Sequence, residues 1–349
     1  LSSLTSGAGN IAIGYSAGNA MTTGASNVAI GHEAGLELVG ATNDNVIIGY
    51  QAVDDSNTRL SLRSVFIGSQ AGGGTWTDTN EDNVAIGYQS MDAALGDSKF
   101  NVAIGSSTLG ALTSGDNNVA LGHQAAMVLT TGSNNIAIGS NALDASQGGT
   151  SSIAIGSLAL SATTGGETSV AVGYHALKTE TFTGHNVAIG SEALMDLNVG
   201  GNGYNVAVGS RAAYDTTSGT YNVAIGYESL STNTTGSYNV AIGYGALKTG
   251  NHNDANGTVA VGSSALAALT EGQYNVAIGE AAGYAITTGD SNTILGWKAG
   301  KSHQTGDKNV VIGDSAMYSQ SHASTDQNVA IGSAAMVGGT GNIARSIAI

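Results

Sequence analysis

The stretch Asn27-Val28-Ala29-Ile30-Gly31 occurs, with small variations, twenty times along the 349-residue chain. The glycines of the first nineteen copies are separated by 17 residues in eleven intervals, by 18 in two and by 19 in five. A fixed period this short is typical of a solenoid, in which each repeat forms one coil and is stabilised by stacking on its neighbours. The sequence therefore predicts an all-β parallel solenoid, or β-roll, of about twenty coils, with residues 1–349 as one continuous array without an internal boundary.

Within the repeated phrase, the first and third aliphatic positions have one parity and the middle position has the other, which predicts a β-strand. The branched first and third residues are expected to line the coil interior. The middle residue is alanine in sixteen of twenty copies rather than a polar residue, so the opposite face is also expected to be packed. A coil of this size is too small to bury both faces, and the alanine face is therefore predicted to meet other copies of the chain. The interface candidates are Ala29, Ala103, Ala120, Ala188, Ala224, Ala241 and Ala277.

An alternative keeps the same strands but exchanges their inward and outward faces. Alanine would fit a narrow coil interior, and valine and isoleucine would face outward as a long β-branched stripe.

The residues after the phrase predict the rest of the coil. The phrase glycine permits a tight corner or a positive φ. A small residue three positions later, often followed by leucine or methionine as at Leu143, predicts a second short strand. The remaining stretches, such as residues 234–237, are rich in Gly, Thr, Ser, Asn and Asp, and predict outer turns.

Composition narrows the function classes. The chain has no cysteine and no proline, so disulfides and cysteine metal sites are impossible. Ten basic and twenty-five acidic residues give a net charge of −15, which argues against nucleic-acid binding. No apolar run is long enough to span a bilayer, so no membrane contact is expected for this segment. Because the sequence starts at Leu1 and stops within a phrase, it is expected to be a piece of a longer protein.

The phrase NVAIG followed by a small residue resembles the head repeats of YadA-like trimeric autotransporter adhesins, and related repeats in trimeric tail fibres of phages and other viruses. The resemblance spans the chain, although the coils are longer than the roughly 14-residue coils of those adhesin heads. It implies a left-handed parallel β-roll, a homotrimeric rod with two further copies of the chain as partners, and cell adhesion through a host or surface receptor. It also implies an extracellular location, on a cell surface or virion surface.

Few residues depart from the repeat in a way that indicates a metal site or a catalytic site. Of the seven histidines, His175 and His185 lie in one coil, without further ligands at metal spacing. Acidic residues recur before the phrase, as at Asp44, Asp82, Asp116, Asp290 and Asp307; oxygen-rich loops can hold Ca²⁺, but Asp is also a standard turn residue. No metal, cofactor or catalytic residue is predicted.

The tyrosines are better candidates for a binding surface than the histidines and acidic residues. Stacked coils would align them into a stripe able to contact a cell-surface glycan or protein receptor, or into a column whose rings pack on one another. The residues concerned are Tyr204, Tyr221, Tyr227, Tyr238, Tyr244 and Tyr274. The phrase asparagine, as at Asn222, is predicted to hydrogen-bond from coil to coil.

The leading prediction is a non-enzymatic fibre or adhesin segment that spaces or displays a receptor-binding tip. The alternatives are a purely structural extracellular filament, an ice-binding solenoid and, less favoured, a β-helix enzyme.

Overall fold

The computed structural model describes residues 1–55, 61–165, 168–181, 184–249, 256–302, 304–319, 326–337 and 345–349. Over these residues the chain is an all-β parallel solenoid with no α-helix, as the period predicts. A helix able to span a membrane is likewise absent from the described part. The chain falls into two compact units, Leu1–Ala171 and Val172–Ile349, which are described separately below. The expectation of a single array stays a prediction.

The strands are short and almost all coincide with the phrase. In the first unit they are β1 (Ile11–Ile13), β2 (Val28–Ile30), β3 (Val46–Ile48), β4 (Ser61–Leu62), β5 (Val65–Ile67), β6 (Asn80–Glu81), β7 (Val84–Ile86), β8 (Val102–Ile104), β9 (Val119–Leu121), β10 (Ile136–Ile138) and β11 (Ile153–Ile155). The strand β12 (Val170–Val172) contains the point of division. In the second unit they are β13 (Val187–Ile189), β14 (Val206–Val208), β15 (Val223–Ile225), β16 (Val240–Ile242), β17 (Val259–Val261), β18 (Val276–Ile278), β19 (Thr293–Leu295), β20 (Val310–Ile312), β21 (Val329–Ile331) and β22 (Ile347–Ala348).

Phrase strands that follow one another in a unit pair in parallel, and every position of the phrase stacks on the same position of the next coil. In the second unit Val223 pairs with Val240, and Ala224 with Ala241. Each side-chain type therefore forms a column along its unit, so a column can be treated as one structural feature.

The predicted orientation of the strand is wrong. The middle residue of the phrase points into the coil, whereas the first and third residues point outward and remain half-buried or exposed. Ala224 is completely buried in a single chain, while its larger neighbour Ile225 keeps 38% of its surface exposed. The alanines proposed as interface residues are all interior for this reason and cannot contact another chain: Ala29, Ala103, Ala120, Ala188, Ala224, Ala241 and Ala277. The reversed alternative describes the structure.

The physical reason is the narrow interior. At two of the four large middle residues, Phe66 and Ile294, a glycine stands at the turn position that leucine often occupies. A Cβ on Gly72 would lie 2.6 Å from the ring of Phe66, and one on Gly283 would lie 3.0 Å from Cδ1 of Ile294. Interiors are packed to a nearly constant density, so volume gained on the strand is removed from the turn.

The predicted second strand is a turn instead. The second and fourth residues after the phrase glycine adopt left-handed backbone conformations, with φ of 55° at both Asn141 and Leu143. Isolated left-handed residues interrupt an extended strand. They still bond to adjacent coils, because the Asn141 N–H donates to His123 O and the Leu143 N–H to Ala159 O, both at 3.0 Å.

The phrase asparagine forms the predicted ladder. The Asn222 backbone N–H donates to Oδ1 of Asn205 at 2.9 Å, and Oδ1 of Asn222 accepts the N–H of Asn239 at 2.9 Å. Its Nδ2 donates to Gly236 O in the turn at 2.8 Å. The side chains are buried, so this column satisfies backbone groups that water cannot reach.

The phrase glycine is required by both conformation and contact. Gly226 has a φ of 130°, and a Cβ there would lie 2.6 Å from the carbonyl oxygen of Gly243 in the next coil. Any larger residue would force the coils apart.

Candidate interaction surface

The first and third phrase positions form an outward surface, here called the β-branched face. Of its forty positions in the sequence, thirty-nine are Val, Ile or Leu, one is Thr293 and none is charged. A strand face that meets only water ordinarily carries polar or charged side chains. The composition of this face therefore differs from that of a solvated surface.

The β-branched face is continuous within the second unit. The ten strands β13 to β22 pair one after another in parallel. At a strand spacing of about 4.8 Å they extend the face over roughly 43 Å. Large contiguous apolar surfaces of this kind mark sites of protein association. The face also contains Ile225 and Ile278, which are 38% and 40% exposed.

An aromatic column borders the β-branched face on the N-terminal side of the strands. The rings of His185, Tyr204, Tyr221 and Tyr238 stack on successive coils, with centroids 5.2, 5.0 and 5.0 Å apart and nearly parallel planes. All four residues have positive φ, between 50° and 65°. The rings project from matching backbone positions and are spaced by the coils themselves.

A second, shorter column follows the phrase glycine, where Tyr227 and Tyr244 stack at 5.6 Å. Tyr274 occupies the same position of its coil as the tyrosines of the first column, but Gly257 stands at that position in the preceding coil. A Cβ on Gly257 would lie 2.9 Å from Cδ1 of Tyr274.

The stacked geometry bears on how the tyrosines could bind a ligand. Inside each column the ring faces are covered by neighbouring rings, and ring edges and hydroxyl groups remain accessible. This arrangement favours the interpretation in which the rings pack on one another. A receptor or glycan contact by these tyrosines stays a prediction.

Two further described histidines stack on tyrosine rings, in pairs other than the Tyr204 column. His32 lies between Tyr15 and Tyr50 at 5.0 and 5.5 Å, and His175 stacks on Tyr174 at 3.7 Å. Burial lowers the pKa of His175. His252, His303 and His322 lie outside the described residues.

The acidic turn residues make backbone contacts. Oδ1 of Asp290 accepts the N–H of Gln273 at 2.7 Å, and Oδ1 of Asp307 accepts the N–H of Asp290 at 2.8 Å. Asp82 instead pairs with Arg63 at 2.8 Å, and the hydrogen bond from that guanidinium lowers the pKa of its carboxyl. In the described part of the chain, no three His, Asp or Glu residues are grouped so as to hold a metal.

Turn threonines also bond between coils. Oγ1 of Thr270 donates to Thr287 O at 3.0 Å, and Oγ1 of Thr217 donates to Thr234 O at 3.0 Å. Their hydroxyls are engaged along the stack instead of forming a flat array of free donors.

Four of the nine described basic residues form ion pairs: Arg63, Lys99, Arg211 and Lys248. Nζ of Lys248 lies 2.6 Å from Glu228, whose pKa is lowered chiefly by that hydrogen bond. Arg211 contacts the same carboxylate at 3.5 Å.

A polar groove around Lys298 and Lys301 has no counterpart among the predicted sites. The signal in the sequence is that Lys298, Lys301 and Lys308, three of the ten basic residues, lie within eleven positions. One of the two tryptophans, Trp297, directly precedes them.

No family model matches this sequence, and no curated protein matches it significantly.

Proposed function

We propose that this chain is a non-enzymatic segment of an extracellular fibre, in which three copies pack through their β-branched faces and serve attachment to a cell or virion surface. The observation that carries the proposal is the uncharged, outward β-branched face. The outward positions of every phrase strand are uncharged although the chain contains thirty-five charged residues.

Burial of this face is the natural source of association energy. Each exposed aliphatic side chain that becomes buried contributes about 1 to 3 kcal/mol. Two columns over ten strands supply enough such side chains to offset the cost of association. The charged residues lie outside the face, so none of them has to be desolvated when the face is buried.

The number of copies and the role in attachment rest on the resemblance to trimeric head repeats. Two sheets pressed together would also cover the face, so the test must separate a dimer from a trimer.

The test is the mass in solution. Light scattering is expected to give three times the 34.4 kDa of one chain, about 103 kDa. Replacing Ile225→Lys and Ile278→Lys is expected to return the mass to 34.4 kDa with an unchanged circular dichroism spectrum. The matched control adds the same two charges at exposed turn residues, Asn202→Lys and Ser218→Lys, and is expected to stay trimeric. A folded wild-type monomer or dimer would contradict the trimer.

A further inference from the structure

We infer that the groove around Lys298 and Lys301 binds a short acidic saccharide, carboxylated or sulfated; this deepens the proposed attachment function by naming its ligand class. The groove consists of two adjoining depressions that share Lys298. All of its lining residues belong to the second unit.

The first depression, of about 340 Å³, is polar. It is lined by Ser263, Ser264, Glu280, Lys298 and Lys301, together with Ala281 and Tyr284. Ammonium groups bind carboxylate or sulfate, while serine hydroxyls and a carboxylate pair with sugar hydroxyls. The carboxylate of Glu280 would repel a simple anion, so its presence favours a ligand that also carries hydroxyl groups.

The second depression, of about 220 Å³, is more apolar. Trp297, Tyr318 and Val337 line it with Lys298, Ser315 and Ala334. Trp297 keeps 46% of its surface exposed and has no ring stacked on it among the described residues. It thus differs from the tyrosines of the columns: no aromatic ring covers it, Lys298 lies over the ring, and the part that stays exposed can contact the apolar face of a sugar.

The lysines are available for a ligand. Within the described part of the chain, neither Lys298 nor Lys301 makes an ion pair, in contrast to Lys248 and Arg63. Nζ of Lys298 lies 3.8 Å from the ring centroid of Trp297, and Nζ of Lys301 lies 5.6 Å from that of Tyr318. These cation–π contacts hold the amines beside the rings without neutralising their charge.

The shape favours an extended ligand. The lining residues come from five successive coils, beginning with Ser263 and ending with Val337. Five coils span roughly 19 Å at the spacing of a parallel sheet. A chain net charge of −15 disfavours a long polyanion, which selects a short oligosaccharide over a nucleic acid.

The test is titration calorimetry of the full chain with three hexasaccharides: a heparin fragment (sulfated), a hyaluronan fragment (carboxylated) and chitohexaose (neutral). At least one acidic hexasaccharide is expected to bind about tenfold or more tightly than the neutral one. The sulfated and carboxylated arms identify which acidic group is recognised. Equal binding of all three, or tighter binding of a hexaglutamate peptide, would overturn the inference.

Variants place the binding at the groove. The pair Lys298→Gln and Lys301→Gln is expected to lower affinity about tenfold or more. Glutamine already occupies the position of Lys298 in other coils, with similar φ at Gln70 and Gln89, so the fold should be kept. Trp297→Ser, which copies Ser263 of the same column, is expected to weaken binding about threefold or more.

The control is Lys308→Gln, which removes one positive charge just outside the groove, against two in the double variant, and is expected to change affinity less than about twofold. If Lys308→Gln lowered the affinity as much as the double variant does, net charge alone would explain the effect, and the proposed binding site would be wrong. Light scattering on the same samples separates the two proposals. A trimer without acidic selectivity refutes the groove alone, and a monomer that binds selectively refutes the fibre alone.

Discussion

The two sides of the phrase strand differ in a way that reverses the usual rule for sheets. The interior side carries alanine and is completely buried, and the exterior side carries larger branched residues that a single chain leaves partly in water. Interior positions are limited by volume, as the pairing of Phe66 with Gly72 demonstrates. Exterior positions carry no charge, and in the proposed fibre this follows from the copies that cover them. Side-chain size on the interior side therefore follows the space available, whereas the proposed association explains the uncharged exterior side.

The largest expected effect compares adjacent residues on the two sides of one strand. Phe66→Ala leaves a cavity against Trp76, whose ring centroid lies 5.6 Å away, and should lower the free energy of unfolding by about 3 to 5 kcal/mol. The outward control Ile67→Ala should cost about 1 kcal/mol or less in a variant kept monomeric by Ile225→Lys and Ile278→Lys. Urea unfolding measures both.

A double variant sharpens this comparison. Phe66→Ala combined with Gly72→Leu restores the usual pairing of a small strand residue with a large turn residue. We expect it to recover part of the lost stability, whereas Gly72→Leu alone should destabilise by overpacking. Additive losses would show that volume exchange between strand and turn is not what sets the interior.

The next effect concerns a polar residue on the buried side. Asn222→Ala removes the acceptor of the Asn239 N–H and one of two donors to the Gly236 carbonyl, which keeps Asn233 Nδ2. It should cost about 1 to 3 kcal/mol, because one buried backbone N–H is left unsatisfied. The exposed control Asn202→Ala should change stability by less than about 0.5 kcal/mol. Hydrogen exchange at Asn239 gives a local readout; unchanged protection there would argue against the ladder.

The smallest expected effect concerns Asp92, a turn residue that is partly buried. Burial, followed by repulsion from Asp54, raises the pKa of Asp92 above its usual 3.8. The folded state then holds this proton more tightly than the unfolded state. Its contribution to stability is present below pH 3.8 and is lost as the pH rises through the higher folded pKa.

Asp92→Asn should therefore raise stability at neutral pH, by less than about 1 kcal/mol, and should flatten the pH profile. Unfolding midpoints measured between about pH 3.5 and 7 test the sign, and the exposed change Glu271→Gln serves as control. A variant less stable than wild type at neutral pH would mean that the Asp92 carboxylate is stabilising.

Periodic features were predictable from the sequence, because they depend on spacing alone. The parallel coils, the phrase strand, the positive φ of Gly226 and the Asn222 ladder all follow from which residues recur at fixed intervals. The side of the strand that faces inward does not follow from spacing. Parity separates Val223 from Ala224 but assigns neither to the interior; that depends on the room left by turn residues such as Leu230, which is fully buried.

The features that sequence reasoning missed depend on backbone conformation and on residues far apart in the chain. Alanine followed by leucine reads as a strand, yet the left-handed conformation at positions such as Leu143 makes a turn. The Lys298 groove joins residues from five coils, and only stacking brings Ser263 and Val337 to the same surface. The clustered lysines beside Trp297 were the available signal.

The position-by-position stacking of the phrase also has an evolutionary consequence. Residues 223–239 form one complete coil, and Val223 and Val240 occupy equivalent places. Excision of these residues would join Asn222 to Val240 and recreate an uninterrupted NVAIG phrase. Addition or deletion of a whole coil would thus change the length of the protein in a discrete step and keep the stacking register of the phrase.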